Sequence, residues 1–299
     1  MHQANGLRGA VSSKAYDMNR VKEVNTYPVG SPSPRVIAVT SGKGGVGKTS
    51  VVANLAIAFR RLGKRVLILD GNLGLANIDI IFGLNPVYNI EHVISGEKDL
   101  AEIIVEGPEE ISIIPAGSGV HELAHLTNGQ KLHLLNEFDT LNEDFDILLI
   151  DTGAGISSNV IYFNIAAQER IVVATSEPSS VTDAYALIKV IFTQHGTRSF
   201  KVLVNMVNNA EGGKSVFENL SNISGNFLKD ISLEYIGFIS KDDKFQEAVK
   251  QRRTVSQLYP ESESSKGFFD LAQRLLNSSM NRSSDGNIKF FWRKLVSRH

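Results

Sequence analysis

Val36–Val39 is a short apolar, largely β-branched run that passes through Thr40 into SGKGGVGKTS and then into VVANLAIAFRRL. A run of this kind reads as a buried strand. Val51, Leu55 and Phe59 fall on one face of a helix. The loop between them leaves few folds open. Gly42, four intervening residues, then Gly47-Lys48-Thr49 is the Walker A spacing in its strand–loop–helix setting. Glycine at 42, 44, 45 and 47 is expected to admit positive φ and to aim successive N–H groups at phosphate oxygens. The helix beginning near Lys48 adds the positive end of its dipole. Lys48 is expected to reach β- and γ-phosphates, and the Thr49 hydroxyl to coordinate Mg²⁺. The expected cradle is Gly42, Lys43, Gly44, Gly45, Val46, Gly47, Lys48, Thr49 and Ser50.

A length of 299 residues allows one large or two ordinary domains with a sizeable core. The formal net charge of −1 gives no global attraction to nucleic acid. The chain has no cysteine, which excludes disulfides, thiolate metal sites and Cys nucleophiles and fits a reducing compartment. No apolar run reaches membrane-spanning length and no signal peptide is read at the start.

From Arg35 to about Ser279, strand-like and helix-like segments alternate without a break in composition. The expected strands are Val36–Thr40, Arg65–Leu69, Ile111–Ile114, Ile147–Ile150, Ile171–Ala174, Val202–Asn205 and Tyr235–Ile239. Most are continuous apolar runs, as in parallel strands covered on both faces. Helical spacing recurs in Val181, Tyr185 and Ile188, and in Leu271, Leu275 and Leu276. The pattern predicts an α/β fold: one doubly wound, mostly parallel sheet with helices on both faces. The expected division is a polar head and Pro-rich linker over 1–34, a nucleotide-binding domain over 35–279, and a linker with a C-terminal helix over 280–299. In that last segment Ile288, Phe291, Trp292 and Leu295 share a helical face, with Lys289, Arg293, Lys294 and Arg298 around the other side. Aromatics beside a cationic face mark an interfacial membrane helix; the alternative is a helix that packs back on the domain.

Two carboxylates complete the expected site. Asp70 ends the strand RVLILD, and an acid at a strand's carboxyl end lies where ligands bind in this architecture. Asp151 ends FDILLID, a Walker B-type strand, and would hold Mg²⁺ through water. Asn205 ends the strand VLVN. His121, His125 and His133 lack partnering carboxylates and read as ordinary histidines rather than zinc ligands.

Lys-Gly-Gly-x-Gly-Lys-Thr, with Lys43 as its extra lysine, resembles the deviant Walker A of the MinD/ParA family of ATPases. The resemblance implies that Lys43 reaches across a nucleotide-sandwich homodimer to the partner's phosphates. It also makes Asn205 the adenine reader, Phe238–Asp243 the loop over the base (it reads equally as a surface turn), and Asp151-Thr152-Gly153-Ala154-Gly155 a second switch. Asp70 and the following GNLGLANID resemble switch I of the family, where Asp-x-Asp-Leu-Gly-Leu-x-Asn is typical. Asn72 stands in the place of the second aspartate, which helps orient or activate the attacking water. ATP/ADP and Mg²⁺ are therefore the expected cofactors. Lys43, Lys48, Asp70, Asn72 and Asp151 are the expected catalytic set, with slow hydrolysis expected from Asn72. Thr49, Asp70 and Asp151 are the expected metal groups. Asp79 closes the match and reads as structural.

Within the family, the switch I text resembles the flagellar number and placement regulators (the FlhG, FleN or YlxH group). Those carry an N-terminal Asp-Gln-Ala-x-x-Leu-Arg; here His2-Gln3-Ala4-Asn5-Gly6-Leu7-Arg8 departs at His2. The resemblance implies that Gln3, Leu7 and Arg8 engage and stimulate an SRP-type flagellar GTPase. It implies an ATP-dependent homodimer, reversibly peripheral on the inner face of the cytoplasmic membrane through an anionic lipid surface. It extends the partners to flagellar C-ring proteins or a flagellar transcription regulator, with no specific nucleic acid. Competing readings are a MinD-like cell-division regulator, a DNA or cargo partition ATPase, and a scaffold that keeps the fold without ATP.

Overall fold

The computed structural model describes residues 34–72, 77–117, 127–140 and 145–278. The head motif with Gln3, Leu7 and Arg8, the tail with Ile288, Phe291, Trp292 and Leu295, and His121 and His125 lie outside the described residues.

The chain runs β1 (Arg35–Ser41), α1 (Lys48–Arg61), β2 (Val66–Gly71), α2 (Ile78–Phe82), α3 (Ile90–Ile94), α4 (Leu100–Ile103), β3 (Val105–Glu106), β4 (Ser112–Ile114), α5 (Asn128–Thr140), β5 (Ile147–Ala154), α6 (Ser158–Ala166), β6 (Glu169–Ala174), α7 (Pro178–His195), β7 (Ser199–Val207), α8 (Ala210–Phe227), β8 (Ser232–Ser240), α9 (Asp243–Lys250), α10 (Val255–Leu258) and α11 (Glu263–Asn277). Among the described residues the strands form one sheet in the order β3-β4-β2-β5-β1-β6-β7-β8. Its pairings are parallel except β3 with β4. The doubly wound, mostly parallel sheet expected from the alternation is what the chain forms.

Central strands are covered on both faces, so their side chains alternate between two cores rather than between core and water. Ile37 and Val39 of β1, with Ile68 of β2 and Leu149 of β5, join the layer of α1 and α11. Val36, Ala38, Leu67 and Leu148 face the layer of α3 to α6. Helices α7 and α8 cover β6 to β8 through a third cluster around Ala184, Ile188, Phe200 and Leu220. Helix α1 is buried on every side from Val51 to Phe59. Asn54 inside it accepts the Ser256 N–H at 3.0 Å and donates to the Ser50 carbonyl at 2.8 Å, which pins α10 to the first turns of α1.

Two details differ from the sequence expectation. β3 is an antiparallel edge strand of two residues, too short to leave a periodic signal. β5 continues past Ile150 to Ala154, because Ser41 and Ala154 still pair at the far end of β1. The second-switch text therefore begins inside the sheet.

At the other end of β1, Arg35 closes the fold. Its guanidinium donates to Glu169 Oε1 from Nε at 2.8 Å and to the Ser278 hydroxyl at 3.4 Å, and it also caps the Leu275 carbonyl at the end of α11. Lys201 pairs Glu169 with Glu234, at 3.8 and 2.5 Å, and carries the charge alternation across β6, β7 and β8.

Candidate nucleotide site

The phosphate loop lies between β1 and α1, at the carboxyl ends of the strands. The chain turns from β1 to β2 on one side and places β6 on the other, which is where an open α/β sheet forms a crevice. The glycines serve different ends. Gly45 and Gly47 hold φ of +83° and +82°, the left-handed region that glycine enters without steric cost. Gly42 takes no positive φ; a β-carbon there would lie 2.0 Å from the Asp183 carbonyl, so the loop backbone rests directly on α7. Gly44 meets neither constraint, with open space where its β-carbon would be. The expectation of positive φ at all four is corrected to Gly45 and Gly47.

Gly47 is the N-cap of α1, and Lys48 and Thr49 open the helix. Lys48 is 9% exposed. Val46 is buried, and its carbonyl accepts from Asn205 Nδ2 at 2.8 Å. The Asn205 Oδ1 accepts the N–H of Met206 at 3.0 Å, which leaves one amide hydrogen and one lone pair for a base edge. Asn205 thus ties the end of β7 to the phosphate loop, a positioning role that the strand–amide pattern does not disclose.

Asp70 and Asp151 are direct partners across β2 and β5 and both are essentially inaccessible. Asp70 accepts the backbone N–H groups of Asn72 (3.1 Å), Asn77 (3.1 Å) and Ile78 (3.3 Å). Burial, together with the Asp151 charge, nonetheless pushes its carboxyl up to about 7, against the pull of those three N–H groups. Burial lifts Asp151 to about 6, opposed by the Lys48 ammonium and the Thr49 hydroxyl. Neither Asp151 oxygen makes a hydrogen bond of normal geometry to a described residue, so Thr49 is near it without satisfying it. The two carboxyls titrate as a pair, the charge of the first to ionise raising the other.

An unsatisfied, buried carboxylate of this kind is unfavourable unless a cation or donor meets it. The residues fit Mg²⁺: a hydroxyl at Thr49 and two carboxylates, all oxygen donors suited to a hard ion. Among the described residues no cluster of three or more His, Cys, Asp or Glu side chains is arranged for a metal. A bound ion would offset the charge on the pair, orient phosphate oxygens and bring bound water.

Asn72, in the segment that resembles the first switch, brings its side-chain oxygen to 3.5 Å from the place of a β-carbon on Gly153 in the segment that resembles the second. Gly155 (φ +86°) donates its N–H to the Ser41 carbonyl at 3.0 Å, joining the second switch to the loop that would hold the phosphates. Residues 73–76 of the first switch are outside the described residues. Asp79 accepts the Ile80 N–H at 2.7 Å in the first turn of α2, and His133 is half-buried on α5.

Lys43 is the outlier of the set. Its ammonium does not point at Asp70, Asp151 or Lys48. It meets Glu177 Oε2 at 2.6 Å and the Ser179 hydroxyl at 3.0 Å, at the start of α7. The pair is partly exposed. Sequence reading had no signal for this partner, because the contact spans more than a hundred residues. The segment Phe238–Asp243 is the end of β8 and a helix cap: Asp242 accepts the Lys244 N–H at 2.9 Å and the Ser264 hydroxyl at 2.8 Å. These bonds draw its carboxyl below the usual range against the opposing effect of burial, the largest single influence.

Residues 33–276 match the ParA family model, described as NUBPL iron-transfer P-loop NTPase. The chain is 41% identical over 269 residues to the antiactivator FleN of Pseudomonas aeruginosa, covering 90% of this chain and 96% of that protein. It is 30% identical over 289 residues to the flagellum site-determining protein YlxH of Helicobacter pylori, covering 95% and 97%. Among solved structures, the MinC:MinD cell division protein complex of Aquifex aeolicus matches with a TM-score of 0.66 at 27% identity, over 82% of this chain and 97% of that one. By these matches and by its phosphate loop, the chain belongs to the ParA/MinD family of P-loop NTPases.

Proposed function

We propose that this protein is an ATP-dependent, dimerising switch ATPase that regulates flagellar number and placement. The observation that carries the nucleotide chemistry is Asp151: a buried carboxylate without a hydrogen-bond partner among the described residues, near Lys48 and Thr49 and beside Asp70 on the neighbouring strand. Mg-ATP supplies what that site lacks. Lys48 and the loop N–H groups hold the phosphates, and Thr49, with Asp70 and Asp151 through water, holds the ion. Asn72 offers the attacking water hydrogen bonds but no base, so turnover is slow. In the dimer Lys43 leaves Glu177 and Ser179 for the partner's phosphates. The iron transfer in the family model's description is not carried over, because the chain has no cysteine to hold iron or a cluster.

The flagellar role is supported by the likeness to FleN and YlxH over nearly the whole chain. We assign residues 1–34 to a head and linker, with Gln3, Leu7 and Arg8 stimulating an SRP-type GTPase. Residues 280–299 form the membrane-binding segment through Ile288, Phe291, Trp292 and Leu295, and residues 35–279 form the ATPase. No helix among the described residues is long and apolar enough to cross a membrane, and peripheral attachment through the tail needs none. Cell-division regulation in the manner of MinD is the second reading, favoured by the likeness to the MinC:MinD complex.

The test joins light scattering to sedimentation with anionic liposomes. ATP, but not ADP, should give a dimer that sediments, and deletion of 287–299 should abolish sedimentation while leaving the dimer. A monomer in ATP, or equal sedimentation of the truncated chain, would overturn the switch. Stimulation of the GTPase by a peptide of residues 1–25, and its loss in Gln3→Ala, separates the flagellar reading from the cell-division one.

A further inference from the structure

Beyond Asn205 the backbone of β7 makes an unusual turn. Met206 holds φ at +59°, in the left-handed region that a non-glycine side chain enters at a cost. Two things follow from the flip. The Met206 N–H reaches Asn205 Oδ1, and the Met206 side chain lies down over the phosphate loop, its terminal methyl 3.0 Å from the place of a β-carbon on Gly47. The residue is still 39% exposed, an uncovered apolar group at the rim of a polar crevice. Next to it the Lys241 N–H bonds the Val207 carbonyl at 2.8 Å, which draws the turn after β8 alongside. The chain has four methionines and no cysteine. Met1, Met18 and Met280 lie outside the described residues, so Met206 carries the one sulfur atom among the described residues.

We propose that the Met206 thioether is the platform against which the purine base of the bound nucleotide rests, and that oxidation of this sulfur weakens nucleotide binding. The inference rests on the reading of the phosphate loop as a nucleotide site. With Asn205 taken as the group that meets the base, a nucleotide held by its phosphates along Gly44–Thr49 would bring its base beside Asn205 and Gly47, the two groups next to Met206. Asn205 can read an edge of the base, but an edge contact leaves the plane of the ring free to tilt. A polarizable thioether beside the ring fixes that plane. Backbone strain held next to a ligand site fits such a role. A hydroperoxide transfers one oxygen to the sulfur and leaves as water or an alcohol, and the apolar wall becomes a polar sulfoxide.

The experiment titrates full-length protein with ATP and, separately, with inorganic tripolyphosphate. It compares the unmodified chain, Met206→Gly, Met206→Leu, and each of the first and third after mild hydrogen peroxide, with the sulfoxide located by peptide mass spectrometry. Met206→Gly and the Met206 sulfoxide should bind ATP about two- to tenfold more weakly, with tripolyphosphate affinity unchanged. Met206→Leu should stay within about twofold and be indifferent to peroxide, which accounts for the other three methionines. Glycine relieves the positive φ, so Met206→Gly should unfold at the same temperature or higher, whereas loss of a merely structural contact would lower it. Unchanged ATP affinity in Met206→Gly, or an equal loss toward tripolyphosphate, overturns the base platform alone. Failure of the unmodified chain to bind either ligand overturns the nucleotide reading as well.

Discussion

Asp151→Asn should disable the site and, in the absence of ligand, stabilise the domain as pH rises. In the fold this carboxyl titrates at about 6 rather than 3.8, because burial disfavours its charge. Below the lower value both folded and unfolded chains hold the proton, and the group contributes nothing. Between the two values the folded chain keeps a proton that the unfolded chain has lost, so stability falls as pH rises; above about 6 the full penalty stands. The interval from 3.8 to about 6, at about 1.4 kcal/mol per decade, makes that penalty about 3 kcal/mol. Asparagine removes the charge but buries an amide with few partners, a cost of about 1–3 kcal/mol that does not vary with pH. The pH-dependent part is therefore the informative quantity. The variant also relieves Asp70 of the Asp151 charge, so variant stability minus parent stability should climb by at least about 3 kcal/mol between about pH 4 and pH 8 in the presence of a chelator. In a domain of this size that corresponds to roughly 6–12 °C in Tm. Thermal and urea unfolding across the pH range would measure it, with hydrolysis followed in parallel. A difference that stays flat with pH would refute the claim that the fold holds Asp151 ionised against burial. Saturating Mg-ATP should close the gap by favouring the parent alone.

Three further outcomes are expected. Asn72→Asp restores a carboxylate in the segment that resembles the first switch and should raise single-turnover hydrolysis by about 10²–10⁴-fold with little change in ATP affinity, as rapid quench would show; equal rates would leave water positioning to other groups. Lys43→Ala should still bind ATP through Lys48 yet remain monomeric in light scattering. Gly42→Ala would drive a methyl group into the α7 backbone at 2.0 Å, so the loop and helix must part, and nucleotide affinity should fall by at least about tenfold, with a loss of roughly 1–3 kcal/mol in unfolding assays.

Much of this fold is legible because its strands are buried twice over. A run such as ILLI in β5 has no polar face to confuse its assignment, and the glycine loop announces the strand before it and the helix after it. Asp70, Asp151 and Asn205 stand out in the sequence as polar residues that end apolar runs, while the roles expected of Asn205 and Asn72 come from the family resemblance. The parts that escaped reading are those fixed by distant contacts. Glu177 and Ser179 hold Lys43 from α7, and Asp183 rather than a turn explains Gly42. β3 escaped because two residues cannot display a period. The equal standing given to the loop glycines failed for the same reason: a sequence shows that a glycine is present, while its neighbours decide whether it is needed for φ, for clearance or for neither.

The guanidinium of Arg35, which holds the beginning of β1 to the end of α11, also decides where the domain can be attached to anything else. Arg35 and Ser278 are 243 positions apart in the chain yet share one corner. The seven residues of β1 set that corner about 20 Å from the phosphate loop. The described chain therefore begins and ends at one corner, on the side away from the crevice. The same closeness means that the ends could be spliced by a short linker and the chain reopened at an exposed turn such as Gly196–Arg198 without unpicking the sheet. In such a permuted ring the Arg35 clasp would become an interior joint.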